Sequence, residues 1–243
     1  MADDIHLASI GGGMMGEALI AGLLRADGIV QAANVVVAEP VMERRRLLEQ
    51  THGVRTTPHN LEAVANANCV IVAVKPQVFS EVARDLRGKL RPEQLVVTIM
   101  AGVPLATVMT GLEHEQTVRV MPNVMCQVNQ GVLVWKAASA VTELQRALAQ
   151  RIFAATGAEF EVHDEAYLDR ATAVSASSPA FIFLILEALI DAGVHVGFAR
   201  PQATTLAVQT VLGAATLLKE TGRHPAELKN MVTSPAGTCL LYT

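Results

Sequence analysis

The feature that most constrains this chain is a glycine-rich turn near its N-terminus, with the pattern Gly11-x-Gly13-x-x-Gly16. Residues 5–10 before it are mostly apolar and predict a buried strand, and residues 17–24 after it predict an amphipathic helix. In such a unit the first glycine makes the tight turn, the second lets the backbone approach a pyrophosphate, and the third lets the helix pack on the sheet. We interpret the turn as a dinucleotide site of a Rossmann-type fold; the alternative is a strand-to-helix turn without a cofactor.

Strands and helices alternate along the first two thirds of the chain. Predicted strands cover residues 34–38, 69–74, 95–99, 118–120 and 159–162, and a predicted helix covers residues 142–156. Several of these strands are continuously apolar, as expected when helices cover both faces of a parallel sheet. Doubly wound sheets bind ligands at the carboxyl ends of their strands. We therefore predict an α/β dinucleotide-binding domain with a doubly wound parallel sheet over residues 1–162.

Beyond His163 the alternation stops, and only helices are predicted. They cover residues 164–174, 181–192 and 201–221, and a turn at residues 175–179 separates the first two. The helix at 181–192 is apolar on nearly every side and must be buried all round. A region this short cannot easily cover such a helix alone. We therefore predict an all-α substrate and dimerisation domain over residues 163–243 that forms a homodimer or higher homo-oligomer; the alternative is packing against the first domain.

Composition narrows the class of protein further. Hydrophobic residues make up 51% of the chain and mean hydropathy is +0.35, which suits either a membrane or a large subunit interface. The apolar run at 181–186 ends at Glu187, well short of the ~20 residues that span a bilayer. The N-terminus lacks the basic flank of a signal peptide. We expect a cytoplasmic protein without a membrane partner.

The net charge and the distribution of cysteine and histidine argue against a nucleic-acid-binding protein and against a metal-binding protein. The net charge is −4 and the pI about 6.0, which argues against a nucleic-acid partner. The three cysteines and seven histidines are scattered without metal-ligand spacing. We predict no nucleic acid partner and no metal.

Two sets of residues bear on the choice of cofactor. Glu39 ends the second predicted strand, where a carboxylate accepts hydrogen bonds from the adenosine ribose hydroxyls and favours NAD. The next helix contains Arg44, Arg45 and Arg46, and an arginine there would pair with a 2′-phosphate and favour NADP. The alternative for the arginines is a solvated helix face. The residues thus leave the cofactor open between NADP and NAD.

The helical region favours an imine over a ketone as the electrophile. Ketone reduction needs a proton donor, usually Lys or His, whereas a protonated imine already carries its positive charge. No lysine lies between Val174 and Leu218, so a β-hydroxy-acid dehydrogenase, which would need one inside a helix, is the weaker hypothesis. The breaks between helices carry hydroxyls instead, although such residues also cap helices.

Several ordered blocks between residues 10 and 238 are similar to one known family. They are Ile10-Gly11-Gly12-Gly13-Met14-Met15-Gly16, Thr57-Pro58-His59-Asn60, Ala73-Val74-Lys75-Pro76-Gln77, Ala101-Gly102-Val103, Val118-Arg119-Val120-Met121-Pro122-Asn123, Pro179-Ala180-Phe181, Leu212-Gly213-Ala214-Ala215, His224-Pro225-Ala226-Glu227-Leu228-Lys229 and Val232-Thr233-Ser234-Pro235. In these blocks the chain resembles the pyrroline-5-carboxylate reductases. The resemblance implies reduction of the cyclic imine 1-pyrroline-5-carboxylate to L-proline, the last step of proline biosynthesis, by hydride from NADPH or NADH.

The resemblance also implies site residues. With Glu39 added from its strand position, the expected cofactor-binding residues are Gly11, Gly13, Met14, Met15, Gly16, Glu39, Asn60, Val74, Lys75, Pro76 and Ala101. Ser234, Thr238, Cys239 and Glu165 fall where the family contacts substrate. Turn amides at residues 234–238 would cradle the carboxylate. The alternative for Glu165 is a capping carboxylate at a helix start.

The sequence departs from the family pattern at four places. Ala176 and Ser178 replace glycines, at a cost of about 1 kcal/mol each where φ is positive. Cys239 replaces a threonine and is a weaker hydrogen-bond donor. The sequence ends at Thr243, where the family continues into further helix, so the second domain is interpreted as truncated. These departures motivate the alternative of a catalytically impaired reductase-derived protein that binds dinucleotide or self-associates.

Overall fold

The computed structural model of the 243-residue chain describes residues 5–235 and 237. The strands are β1 (Leu7–Ile10), β2 (Val35–Ala38), β3 (Arg55–Thr57), β4 (Cys69–Val72), β5 (Leu95–Thr98), β6 (Thr117–Met121), β7 (Gly131–Ala137) and β8 (Gly157–Glu161). The helices are α1 (Met14–Arg25), α2 (Met42–His52), α3 (Asn60–Val64), α4 (Phe79–Leu86), α5 (Leu105–Leu112), α6 (Glu143–Ala154), α7 (Ala166–Ala171), α8 (Pro179–His195), α9 (Arg200–Thr221) and α10 (Pro225–Val232). They fall into two compact units, residues 1–178 and 179–243.

All eight strands form one sheet in the order β3-β2-β1-β4-β5-β6-β7-β8. The first six are mutually parallel, β7 is antiparallel to β6, and β8 is parallel to β7. The chain winds outwards from β1 in one direction through β2 and β3, and from β4 in the other. The switch point of the doubly wound sheet therefore lies between β1 and β4, and the predicted Rossmann-type fold is confirmed.

Apolar side chains cover both faces of this sheet. On one face α1 and α6 pack over the strands, and the rings of Trp135 and Phe153 lie 5.6 Å apart between centroids. On the other face α4 and α5 contribute Phe79, Leu86 and Leu112. Burying one such side chain stabilises the fold by roughly 1.5–3 kcal/mol relative to leaving it exposed. This two-sided burial explains why β1, β4 and β5 read as unbroken buried runs.

Two strands were not predicted from the sequence. β3 has only three residues, Arg-Thr-Thr, and lies at the edge of the sheet, so it carries little apolar signal. β7 is the longest strand, but it follows a 3₁₀ turn at Val124–Val128 and reverses direction against β6. The sequence prediction assumed that consecutive strands are parallel and joined by a helix. β6 and β7 are antiparallel and need no helix between them, so β7 did not fit that assumption.

The segment between β8 and α8 corrects one sequence expectation. The predicted turn at 175–179 begins as a π-helical turn at Thr172–Ala176. Neither Ala176 nor Ser178 has a positive φ, so side chains there carry none of the left-handed strain that loss of the family's glycines suggested. The compact unit that contains the sheet extends to residue 178 and therefore includes α7. The domain boundary predicted from the sequence at residues 162/163 stays a prediction.

The second unit contains α8, α9 and α10. No residue of α8 is buried, and only Ala203 and Ala207 are buried in α9. The helical stretch Ala166–His195 has an 18-residue window with a mean hydropathy of 1.9, of which none is buried. By length and composition alone this stretch could cross a membrane, although the sequence run at 181–186 was expected to be too short. The same exposed apolar surface suits a subunit interface.

Candidate functional site

A cavity of about 420 Å³ opens at the carboxyl ends of β1, β2, β3 and β4. This volume is within the range of small-molecule sites. Six of the predicted cofactor residues line it: Gly11, Gly13, Glu39, Asn60, Val74 and Lys75. The cavity lies at the switch point of the sheet, which is where a doubly wound fold binds its ligand.

The glycine turn is fixed by contacts that leave no room for side chains at two of its positions. Gly11 has φ +100°, and a Cβ there would lie 2.7 Å from the carbonyl oxygen of Ala73. A Cβ on Gly16 would lie 2.7 Å from the carbonyl oxygen of Gly11. The Ser9 hydroxyl donates to that same Gly11 oxygen at 2.9 Å. Gly11 and Gly16 are therefore required by packing, whether or not a ligand binds.

Gly13 differs from these two glycines. A Cβ at Gly13 would meet no atom within 4 Å, and its φ of −67° is open to any residue. Gly13 lines the cavity and is the N-cap of α1, and among the described residues no side-chain cap accepts from the first-turn N–H groups. Such unpaired amides at the start of a 12-residue helix favour an anion. The absence of a side chain here thus keeps open a space that faces backbone donors.

Glu39 follows β2 and lies beside the glycine turn. Its Oε2 accepts from the Gly12 N–H at 3.0 Å, and its Oε1 accepts from the Val41 N–H at 3.1 Å. Its backbone N–H donates to the Thr57 carbonyl at 2.9 Å. The carboxylate is therefore held at a defined place on the cavity wall.

The remaining predicted cofactor residues are distributed around this cavity. Asn60 starts α3, and its Nδ2 donates to Asp85 Oδ2 at 2.9 Å. Lys75 is exposed and lies just after β4. Met14, Met15, Gly16, Pro76 and Ala101 are not among the residues that line the cavity. Met14 is 80% exposed at the start of α1. The cofactor roles of all these residues stay predictions.

Glu165, expected to contact substrate, belongs to an ion-pair cluster in the first unit. Its Oε1 accepts from Arg119 Nη1 at 2.6 Å and from the Leu105 N–H at 2.7 Å. Arg119 also donates Nη2 to Asp169 Oδ1 at 2.8 Å, and its side chain is 3% exposed. Glu165 thereby caps the first residue of α5 and joins it to the sheet. The substrate role of Glu165 remains untested.

Sequence reasoning did not identify Arg119 as the partner of Glu165. The only signal was a charged residue between Val118 and Val120 in an otherwise apolar strand. A buried arginine requires a carboxylate, because an unpaired buried charge is costly. Which carboxylate supplies it depends on where α7 packs.

The other three expected substrate residues follow α10 in the second unit. The Ser234 carbonyl accepts from the Gly237 N–H at 2.9 Å, which closes a turn around Pro235. Thr238 and Cys239 lie outside the described residues. The roles of these residues stay predictions.

Outside this cavity and the Glu165 cluster, the described residues include a second cavity and two buried cysteines. A cavity of about 580 Å³ lies near the amino ends of β1–β4, away from the glycine turn. Burial raises the pKa of the Cys69 thiol to about 12 and also raises that of Cys126, so neither supplies a thiolate at neutral pH. In residues 5–235 and 237, no group of three or more His, Cys, Asp or Glu side chains could hold a metal ion.

Comparison with known families gives two matches. Residues 165–240 match the family described as "Pyrroline-5-carboxylate reductase dimerisation". Residues 6–102 match the family described as "NADP oxidoreductase coenzyme F420-dependent". The match over residues 6–102 lies within the sheet-containing unit, and the match over residues 165–240 begins directly before α7 and extends through the helical unit.

Individual proteins are similar over nearly the whole chain. A pyrroline-5-carboxylate reductase of Synechocystis sp. is 43% identical over 237 residues, which is 97% of this chain and 87% of that protein. The solved structure of a pyrroline-5-carboxylate reductase from Coxiella burnetii has a TM-score of 0.84 and 33% identity, covering 98% of this chain and 88% of that one. The pyrroline carboxylate reductase of Plasmodium falciparum, solved with NADP bound, has a TM-score of 0.85 and 27% identity, covering 97% and 86%.

Proposed function

This chain belongs to the pyrroline-5-carboxylate reductase family, and from that premise we propose that it reduces 1-pyrroline-5-carboxylate to L-proline with NADH or NADPH. The observation that carries the proposal is the 43% identity to a reductase of that name over 97% of the chain. The similar blocks named in the sequence run from Ile10 to Pro235 and so fall in both units.

The residues of the cavity fit a dinucleotide. The open space at Gly13 faces the uncapped start of α1, and Lys75 adds a positive charge on the wall. Amides and a lysine together suit a pyrophosphate. Glu39 follows the second strand, where a carboxylate in this type of fold accepts hydrogen bonds from ribose hydroxyls. When bound, the nicotinamide group supplies the hydride.

In the described part of the helical unit, lysine and histidine, the usual proton donors of a ketone reductase, occur only at helix ends. Lys219 and Lys229 lie in the last turns of α9 and α10, and His195 ends α8. His224 caps α10, where its Nδ1 accepts from the Ala226 N–H at 3.2 Å. A protonated imine needs hydrogen-bond acceptors and a carboxylate anchor rather than a proton donor. We assign the carboxylate anchor to the backbone N–H groups of residues 234–238 and the contact with the imine nitrogen to Cys239.

The test is an assay of NADH and NADPH oxidation with 1-pyrroline-5-carboxylate, followed by absorbance. We expect a turnover of roughly 1–10³ s⁻¹, the usual enzyme range. The Gly13→Val variant should lose about 10²-fold in kcat/KM, because the added side chain fills the space for the dinucleotide. Its thermal midpoint should stay close to that of the wild type, since the Cβ of the new side chain meets no protein atom.

The matched contrast is Gly16→Ala, whose Cβ meets the Gly11 carbonyl and should lower the thermal midpoint itself. If the wild type binds neither nucleotide and shows no turnover, the proposed function is wrong. If it binds nucleotide without turnover, the chain is instead the catalytically impaired relative that its departures from the family suggested.

We also propose that the active form is a homodimer or higher homo-oligomer in the cytoplasm. Support for the assembly is the match of residues 165–240 to a dimerisation family and the exposed apolar side chains of α8. Support for the location is the small, water-soluble substrate. Sedimentation velocity and fractionation of expressing cells test the two statements.

A further inference from the structure

The network around Glu39 bears on which dinucleotide this chain selects. The Glu39 carboxylate accepts one N–H from Gly12 and one from Val41. An ionised carboxylate offers about four lone-pair positions. Glu39 therefore has acceptor positions left over while its orientation is already fixed by the backbone.

Two of the three arginines that follow Glu39 are engaged in other contacts, and the third, Arg46, is exposed and does not line the cavity. Arg44 donates Nε to the Gly12 carbonyl at 2.6 Å and Nη2 to Glu17 Oε2 at 2.5 Å. Arg45 donates Nη1 to the carbonyl oxygens of Glu39 and Pro40 at 2.8 and 2.9 Å. These two guanidinium groups hold the loop that presents Glu39, and neither residue lines the cavity.

The charged residues of the cavity wall also disfavour a 2′-phosphate. Among the described residues that line it, three are acidic (Glu39, Glu81 and Asp85) and only Lys75 is basic. Lys75 follows β4, whereas Glu39 follows β2, so within the described wall no cation comes from the segment that follows β2. A 2′-phosphate carries a charge of about −1.5 to −2 at neutral pH and would lie against these carboxylates.

We propose that Glu39 makes this chain selective for NADH over NADPH, by accepting hydrogen bonds from the ribose hydroxyls and repelling a 2′-phosphate. This inference rests on the proposed function, since it concerns the same cavity. It departs from the NADP named in one family description and from the NADP bound in the Plasmodium falciparum structure. That relative is 27% identical overall, so its cofactor does not fix the choice here.

The experiment is calorimetric titration of the purified full chain with NAD⁺ and NADP⁺, alongside kcat/KM for NADH and NADPH. The wild type should bind NAD⁺ at least about tenfold more tightly, the usual effect of one hydrogen bond to a charged group. Glu39→Gln keeps the size of the side chain and removes its charge. This variant should lose NAD⁺ affinity, gain NADP⁺ affinity and bring the ratio close to one.

Glu43→Gln is the matched control, because it removes the same charge from the first turn of α2 without touching the cavity. The control should keep the wild-type ratio. Equal or tighter binding of NADP⁺ by the wild type would overturn the inference and leave the reductase function standing. Absence of binding for both nucleotides would overturn the reductase function instead. The wild-type ratio decides the question even if the Glu39 variant does not fold.

Discussion

Replacing Glu165 by alanine tests whether its carboxylate holds the first unit together. Oε1 of Glu165 accepts both from the buried Arg119 guanidinium and from the Leu105 N–H that starts α5. After Glu165→Ala, Arg119 keeps only Asp169, whose side chain is 63% exposed. Nε of Arg119 already lacks a partner among the described residues, so the guanidinium would be left more poorly paired.

The expected loss follows from these two hydrogen bonds. Losing a hydrogen bond to a buried charged group costs about 1.5–3 kcal/mol, and leaving a buried N–H unpaired costs about 1–3 kcal/mol. Glu165 is 28% exposed, so water replaces part of what is lost. We expect unfolding to be easier by about 2–3 kcal/mol. For a chain of this length that lowers the thermal midpoint by roughly 4–12 °C.

The chain's single tryptophan makes the measurement specific. Trp135 is buried in β7, within the same compact unit as Glu165, so its fluorescence reports unfolding of that unit. Asp169→Ala is the control, since an exposed ion pair on the same arginine contributes about 1 kcal/mol or less. Equal effects of the two substitutions would refute the assignment. A normal midpoint with lost kcat/KM would instead assign Glu165 to the substrate.

Three further predictions use other contacts. Gly22→Ala should lower stability by about 1–3 kcal/mol in urea denaturation, because its Cβ would collide with the Cys126 carbonyl oxygen. Burial raises the pKa of Glu17, but hydrogen bonds from His52 and a neighbouring arginine outweigh it, so the pKa is lowered from 4.5. The ionised Glu17 carboxylate therefore stabilises the fold above pH 4.5, and this stabilisation is lost as the pH falls through the folded-state pKa. The free energy of unfolding of Glu17→Gln should be lower than that of the wild type near pH 7, and the two values should become equal in acid. Leu184→Glu, on the exposed apolar surface of α8, should shift sedimentation towards monomer.

Each of these has its own control. Ala adds no clash at Gly13, so Gly13→Ala should keep the stability that Gly22→Ala loses. A constant difference between Glu17→Gln and the wild type from neutral to acidic pH would contradict the linkage. Leu144→Glu replaces a side chain that is 85% exposed on α6 and should leave the sedimentation coefficient unchanged.

The parts of the fold that the sequence predicted well are those with a strong local signal. The strand before Gly11 and the helix after it were predicted because the turn, the apolar strand and the helix period agree within some 20 residues. β4 and β5 were predicted because parallel strands buried on both faces are continuously apolar. β7 carries a similar apolar run, but the reversal after the turn at Val124–Val128 breaks the alternation that guided the prediction.

The residues of the candidate site likewise differ in how far local sequence signals could predict them. Gly11, Gly13 and Glu39 line one cavity, as their positions at strand ends suggest, and their cofactor roles stay predictions. The contacts of Arg44 with Glu17 and of Arg119 with Glu165 join residues 27 and 46 positions apart. Such pairs depend on how helices pack, and nothing local in the sequence encodes them. The sequence therefore did not show which of Arg44, Arg45 and Arg46 makes contacts within the protein, and the structure shows such contacts for Arg44 and Arg45.

Among the described residues, the exposed large apolar side chains are concentrated in the second unit. α8 exposes Phe181, Phe183 and Leu184 by more than half, and α9 buries only two alanines. Two helices that bury so little of their own surface gain too little to offset the entropy of ordering them. We expect a second copy to cover and stabilise them, so that folding of this unit and association form one equilibrium. The midpoint for unfolding of α8 and α9 must then rise with protein concentration, while the unit that contains Trp135 unfolds at a midpoint set by its own core.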